Sequence, residues 1–282
     1  MQQYIERYKQ FNIIEKLIAI NLAVFALTFL TNTLQFLFNA NGNFIMEFFA
    51  MPSAIDSFIL KPWSILSYGF LHGGFFHILS NLIVLYFIGN LFIEYFTPKQ
   101  LLSFYLYGTV FGGLLYIVSY AVFPALQNSP SILVGASAAV MAIFIGIATY
   151  IPNYELNFRF IGYVKLWKLA AVFVLLDLIQ IPSGNAGGHI AHLGGALYGY
   201  LYMRFASKGS IRISNPFEGF FSKKKNLKTV YRSRRKQNKQ KTRSKSNQEV
   251  IDAILDKISK SGYESLNQEE KNLLFKQGKN KN

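Results

Sequence analysis

Long, almost uninterrupted apolar runs constrain this chain more than any other feature. About six of them recur, over residues 14–37, 75–94, 100–123, 132–151, 165–182 and 187–206. Each is near the roughly 20 residues that an α-helix needs to cross the hydrocarbon core of a bilayer, the fifth being short. Lipid offers no partner to a free backbone N–H or C=O, so segments of this kind fold as helices. Charged residues make up only 15% of the 282, where a soluble domain has about a quarter. The expectation is an all-α membrane protein, a six-transmembrane-helix bundle. The first run follows a polar, charged start and is too long for the apolar part of a cleavable signal, so it is read as a retained span. Cysteine is absent, which excludes disulfides, zinc–thiolate sites and a cysteine nucleophile.

The connections set the orientation. Arg7, Lys9 and Lys16, then Lys99, then Arg159, Lys165 and Lys168, then the tail, fall on one side, whereas Lys61 stands alone on the other. The excess of basic residues on cytoplasmic loops puts both termini in the cytoplasm, which requires an even number of spans. Residues 38–74 are too polar to span and too aromatic for a plain linker, so they are expected to lie in the interface. Three parts follow: a membrane domain over 1–206, a basic cytoplasmic linker over 207–247 and a small helical hairpin over 248–282. The net charge of +15 is concentrated in the tail. Such a run reads as a disordered anchor near anionic lipid head groups, and no nucleic acid is expected because no aromatic-interleaved module accompanies it. In the hairpin, Ile251, Ile254, Leu255 and Ile258 recur at helical spacing and Gly262 can stop the helix. Ser265 with Gln268 suggests a capping box for the second helix, whose Leu266, Leu273, Leu274 and Phe275 could pack on the first.

Polar groups inside spans are costly, which makes them candidates for function, although a lone serine more often only holds helices together. Position changes that weighting. Ser137 and His192 each lie about six residues inside spans entered from the outer side, and His77 and Asn81 lie near the outer end of the second span. At 1.5 Å rise per residue they reach one layer, roughly 5–10 Å below the outer surface. All four histidines, His72, His77, His189 and His192, fall at that level. A serine hydroxyl becomes nucleophilic when an imidazole takes its proton, which casts Ser137 as nucleophile and His192 as base. His77 and Asn81, four apart on one helix face, can donate to an oxyanion together with backbone N–H groups near Ser137. Small residues at Gly135, Ala139, Ala142 and Gly146, and at Gly195, Ala196 and Gly199, would let the fourth and sixth spans approach closely.

These residues resemble the motifs of rhomboid proteases. Gly135-Ala136-Ser137-Ala138 is similar to the G-x-S-G nucleophile motif, and Ala191-His192 through Gly199 is similar to A-H-x-x-G-x-x-x-G. His77 through Asn81 resembles the H-x-x-x-N oxyanion element, and the resemblance covers about residues 12–206. It implies a rhomboid-like bundle, a Ser–His dyad without an acid, no cofactor, and substrates that are membrane-protein segments entering sideways between the second and fifth helices. By the same resemblance Trp167 and Phe173 would border that entry, and Glu94 would help fix the bundle. Two positions depart from the pattern. Ala138 replaces the second glycine and is expected to add a methyl group close to the nucleophile, and Met141 replaces an aromatic residue one turn after the serine.

Asp177 is the one acid clearly within a span. It could orient His192 as a third member of a triad, but because the resemblance implies a dyad, a structural or water-facing role in the fifth helix is expected for it. His189 and His192 are three apart, but no third good ligand is evident, so no metal is expected. The expected activity is intramembrane serine endopeptidase. A catalytically inactive relative that binds transmembrane helices is the alternative, kept open by Ala138, and a transporter is a more remote one because charged pathway residues and broken midplane helices are lacking. A bacterial plasma membrane is the expected location, on class grounds.

Overall fold

The computed structural model describes residues 10–40, 42–206 and 250–278. The chain forms two compact units, Met1–Phe221 and Ser222–Asn282. The basic run over 207–247 lies outside the described residues, as do Arg7 and Lys9.

Among the described residues six helices of 14 or more residues build the first unit: α1 (Ile13–Leu37), α2 (Phe75–Tyr95), α3 (Pro98–Val122), α4 (Ser137–Tyr150), α5 (Leu166–Gln180) and α6 (Ala186–Ala206). By length and composition α1, α2, α3 and α5, the last extended by a turn to Ser183, are able to cross a membrane. The protein is therefore a multi-pass integral membrane protein. α6 has 21 residues but mixes Gly, His and Tyr among its apolar ones. Polar caps fix where several helices begin. The Asn12 side chain accepts from the Ile14 and Glu15 amides while Glu15 returns a bond to the Asn12 amide. Thr97 and Gln100 form the same reciprocal box at the start of α3, with Pro98 at its first position.

The fourth span departs from expectation. α4 has only 14 residues and starts at Ser137. Residues 132–133 instead form a strand, β2 (Ile132–Leu133), paired antiparallel with β1 (Met51–Pro52) of the first loop. Ser53 and Ser131 extend that pairing with two further bonds of 3.0 Å. Gly135 has φ +128°, a conformation that residues with a Cβ rarely adopt, and its N–H donates to the Tyr68 carbonyl. Ser137 is consequently the first residue of its helix, not a residue some six positions inside a span.

α4 is the core. Every residue from Ala138 to Ala148 is buried, and the helix packs on α2, α3, α5 and α6. The small residues account for that. A Cβ at Gly195 would overlap the Ala138 carbonyl, and one at Gly199 the Ala142 carbonyl. On the opposite flank a Cβ at Gly112 would come 2.5 Å from the Ala138 methyl. That methyl therefore fills the notch that Gly112 leaves in α3, contrary to the expectation that it crowds the nucleophile. Elsewhere buried polar groups close on one another. Asn21 donates to the Tyr105 hydroxyl, which donates to the Gly69 carbonyl at 2.8 Å, and the Tyr68 hydroxyl donates to the Thr109 carbonyl at 2.7 Å. These bonds tie α1 and α3 to the first loop.

A hairpin of β3 (Glu155–Phe158) and β4 (Gly162–Lys165) joins α4 to α5. Glu155-Leu156-Asn157-Phe158 alternates polar and apolar residues, the pattern of a strand. α5 buries only Leu166, Ala170 and Asp177, so most of its apolar surface is left to lipid. Glu94 is exposed at the end of α2 and makes no hydrogen bond or ion pair among the described residues, so the bundle-fixing role implied for it is not seen.

In the second unit a helix over 250–261 (α7) is stopped at Gly262, φ +75°, and α8 spans Gln268–Gly278. Ile254 and Leu266 are buried, and Lys257 pairs with Glu270 at 2.9 Å. The cap falls two residues later than expected. Asn267 and Glu270 form the reciprocal box, while the Ser265 hydroxyl turns back to the Gly262 carbonyl. Leu273 is 40% exposed rather than packed, and the Phe275 side chain lies outside the described residues.

Replacing Gly195 with Val forces α6 away from the Ala138 carbonyl. The expected result is a loss of roughly 1–3 kcal/mol of stability or more, read as a lower unfolding temperature in detergent. Leu197→Val, on the exposed face of α6, serves as control and stays near wild type.

Candidate active site

The N-terminus of α4 opens into a cavity of about 510 Å³ lined by His77, Asn81, Ser137, Asp177, His189 and His192 among others. The structure thus brings the four expected residues to one place from α2, α4 and α6. Ser137 is half-buried, at the first position of α4. The first-turn N–H groups of a helix have no intrahelical acceptor and carry the positive end of its dipole, so they stand beside the serine as donors.

His77 lies against Gly135, where a Cβ would come 2.7 Å from its Nε2. Gly135 is therefore required twice, for its backbone angle and for the space the ring occupies. The Gly73 N–H donates to His77 Nδ1 over a long 3.4 Å, which leaves Nε2 to carry the ring proton toward Gly135 and Ser137. Asn81 donates one amide hydrogen to the His77 carbonyl at 2.8 Å and keeps the second. Both side chains can serve as oxyanion donors.

The surroundings of His192 differ from the acid-free dyad expected from the sequence. Its Nδ1 lies 2.8 Å from Asp177 Oδ1, and His189 Nδ1 lies 2.9 Å from the same oxygen. Asp177 is 6% exposed. An acid therefore sits on the proposed base, where the resemblance implied none, and the role expected of Asp177 as structural or water-facing gives way to a direct contact with His192. The signal was present in the sequence as one acid inside an apolar helix with His192 as a possible partner, but spacing alone could not show that the two meet. The three side chains also supply the third metal ligand that the sequence lacked, their ligand atoms lying within 4.8 Å of one another. Their mutual hydrogen bonds already account for the convergence. No hydrogen bond joins Ser137 to His192 among the described residues, a spacing common in resting enzymes. Met141 and Phe173 line the cavity, whereas Trp167 does not.

A family model for the Rhomboid domain matches residues 60–209, more than half of the chain. The chain belongs to the rhomboid family. The family in general comprises intramembrane serine proteases that act on transmembrane substrates within the bilayer. Relatives include RHOMBOID-like protein 12, mitochondrial, of Arabidopsis thaliana, 29% identical over 61% of this chain and 54% of that protein. Presenilin-associated rhomboid-like protein A, mitochondrial, of Danio rerio is 27% identical over 56% of this chain and 41% of that protein. Rhomboid-related protein 1 of Caenorhabditis elegans is 32% identical over 50% and 39%. The chain thus spans about half or less of the length of these curated relatives. Residues 230–279 match a family of unknown function (DUF6576). None of these relatives supports the bacterial plasma membrane expected from the sequence.

Just outside α2, His72 is buried and stacks edge-on against His77 at 5.2 Å. Burial, then the neighbouring His77, lowers its pKa from the ordinary 6.5 to about 4. The unfolded chain therefore binds more protons than the folded one between these values, so stability falls as pH falls through this window. The stabilisation from keeping His72 neutral is complete above about pH 6.5 and is lost as pH falls through about 4, on the order of 3 kcal/mol. Unfolding temperature against pH should accordingly drop more steeply for wild type than for His72→Gln between these limits. Parallel curves would remove His72 as the cause.

Proposed function

We propose that this rhomboid is an intramembrane serine endopeptidase that cleaves transmembrane segments of membrane proteins. One observation carries the reading: Ser137, His192, His77 and Asn81, from three helices, line one cavity. Ser137 Oγ attacks the scissile carbonyl while His192 Nε2, the ring nitrogen not facing Asp177, takes the hydroxyl proton. His77, Asn81 and the first-turn N–H groups of α4 stabilise the oxyanion. His192 then returns the proton to the leaving amine, and a water deprotonated by the same nitrogen hydrolyses the acyl-enzyme. No cofactor is required. The substrate's transmembrane helix would enter beside α5, the least covered helix of the bundle.

An inactive, helix-binding relative is the second reading, favoured by the absence of a Ser137–His192 hydrogen bond. Ala138 no longer supports it, because the methyl faces Gly112. The three-part organisation is likewise a proposal, with 1–206 sufficient for chemistry and the basic 207–247 segment resting on anionic lipid. The mitochondrial names of two relatives favour a mitochondrial membrane over a bacterial one, a choice that fractionation of the native cells decides.

Wild-type protein in detergent is expected to react with a fluorophosphonate probe, and Ser137→Ala and His192→Ala to lose the label. Folded but unlabelled wild type would establish the inactive reading. A chain ending at residue 206 should keep labelling within about threefold if the tail is accessory. Its loss in a folded truncate would assign the tail a part in catalysis.

A further inference from the structure

We propose that Asp177 is a positioning residue that fixes His192 in its Nδ1–H tautomer, with His189 as a second donor to the same carboxylate oxygen. This rests on the reading of His192 as base. It adds to the Ser–His pair an acid carried on a different helix, α5, from the base on α6.

The argument begins with the carboxylate. An acid at membrane depth is costly and needs partners. Asp177 has two, and both meet it through Nδ1, at 2.8 Å from His192 and 2.9 Å from His189. An ionised carboxylate accepts only, so each of these nitrogens must carry a proton. A neutral imidazole has one N–H, which leaves Nε2 of His192 with its lone pair free. A free Nε2 lone pair is what a base needs in order to take a hydroxyl proton from Ser137. The opposite tautomer would present an N–H there and could not accept. Without Asp177 the choice between tautomers would fall to water in the cavity, since the His192 side chain is 23% exposed.

The competing explanation is that Asp177 merely docks α5 on α6. His189 alone would suffice for that, being the less exposed of the two at 13%. Both rings line the cavity with Ser137 and meet the same carboxylate oxygen, so the His192 tautomer is the quantity that separates positioning from docking. Titratable groups near His192 come from three elements: Asp177 on α5, His189 on α6 itself and His77 on α2. Only Asp177 is an obligatory acceptor. Because acid and base sit on separate helices, displacing α5 from α6 would free the imidazole to change tautomer. Serine reactivity then depends on a docked α5.

The experiment uses the full chain in nanodiscs and reads two quantities. Imidazole ¹⁵N shifts in Ser137→Ala protein, assigned with His192→Gln, report the His192 tautomer without requiring any activity. Fluorophosphonate labelling of the Ser137-containing protein, resolved into a maximal rate and a half-saturating concentration, reports the chemistry. The expected result is Nδ1–H in the parent, lost in Asp177→Asn. The maximal labelling rate should fall roughly 10- to 1,000-fold with little change in half-saturation, below the about 10⁴-fold loss known for a fully buried triad acid. Asp177→Glu should restore part of the rate. Nε2–H in the parent would overturn the proposal even if no Asp177 variant folds. Equal loss of thermal stability in Asp177→Asn and His189→Gln, with the His192 tautomer unchanged, would overturn it in favour of docking alone. An unlabelled wild type whose His192 is Nδ1–H would sink the protease reading and leave the positioning role standing.

Discussion

The candidate site depends on how closely two helices that are distant in sequence approach each other. Ser137 and His192 belong to α4 and α6, and these touch backbone to backbone because Gly195 and Gly199 present no side chain to the Ala138 and Ala142 carbonyls. Lipid tails are as apolar as the side chains they would replace, so helix association in a bilayer draws on close packing more than on the hydrophobic effect. Glycine supplies it here on both flanks of α4, since Gly112 of α3 receives the Ala138 methyl. The helix that carries Ser137 is thus also the most buried part of the bundle.

That burial explains why α4 is short. A helix surrounded by protein does not need to span the full hydrocarbon thickness, and non-helical backbone before it is tolerated at membrane depth only if it lines a cavity or pairs with protein. Both conditions hold. The β1–β2 pairing, the Ser53–Ser131 bonds and the Gly135-to-Tyr68 bond satisfy the backbone just before Ser137. The cavity takes up the rest. The first loop is therefore structural support for the nucleophile, and its chain of bonds through Tyr68, Tyr105 and Asn21 reaches back to α1 and α3.

α5 contrasts with this. It buries three residues, and one of them is Asp177. A helix so lightly covered is the part of the bundle least held by packing, so its bonds to His189 and His192 weigh heavily in where it sits. The cost of an unpaired carboxylate in an apolar setting makes separation of α5 from α6 unfavourable unless water or substrate replaces those bonds.

Much of this was legible in the sequence because lipid permits so few solutions. Apolar runs of spanning length gave helices, glycine stripes gave the tight α4–α6 contact, and histidines at one depth gave the candidate site. The capping boxes at Asn12 and Thr97 that start α1 and α3 are local too, though neither was read from the sequence. What spacing could not give was anything decided by contact across the bundle. The fourth apolar run looked like one helix, but pairing with β1 and the backbone angle at Gly135 took residues 132–135 out of it. Ala138 looked like a crowding methyl, yet only the facing notch at Gly112 fixed where that methyl goes. Asp177 could be given a structural role or a bond to His192 with equal local logic, because the histidines that meet it lie 12 and 15 residues away on another helix. The sequence by itself determined which segments enter the membrane and which residues share a layer, since hydropathy and helical rise act locally. Only the tertiary structure decided which polar atoms meet within that layer, because rotation of each helix about its axis is set by packing against its neighbours.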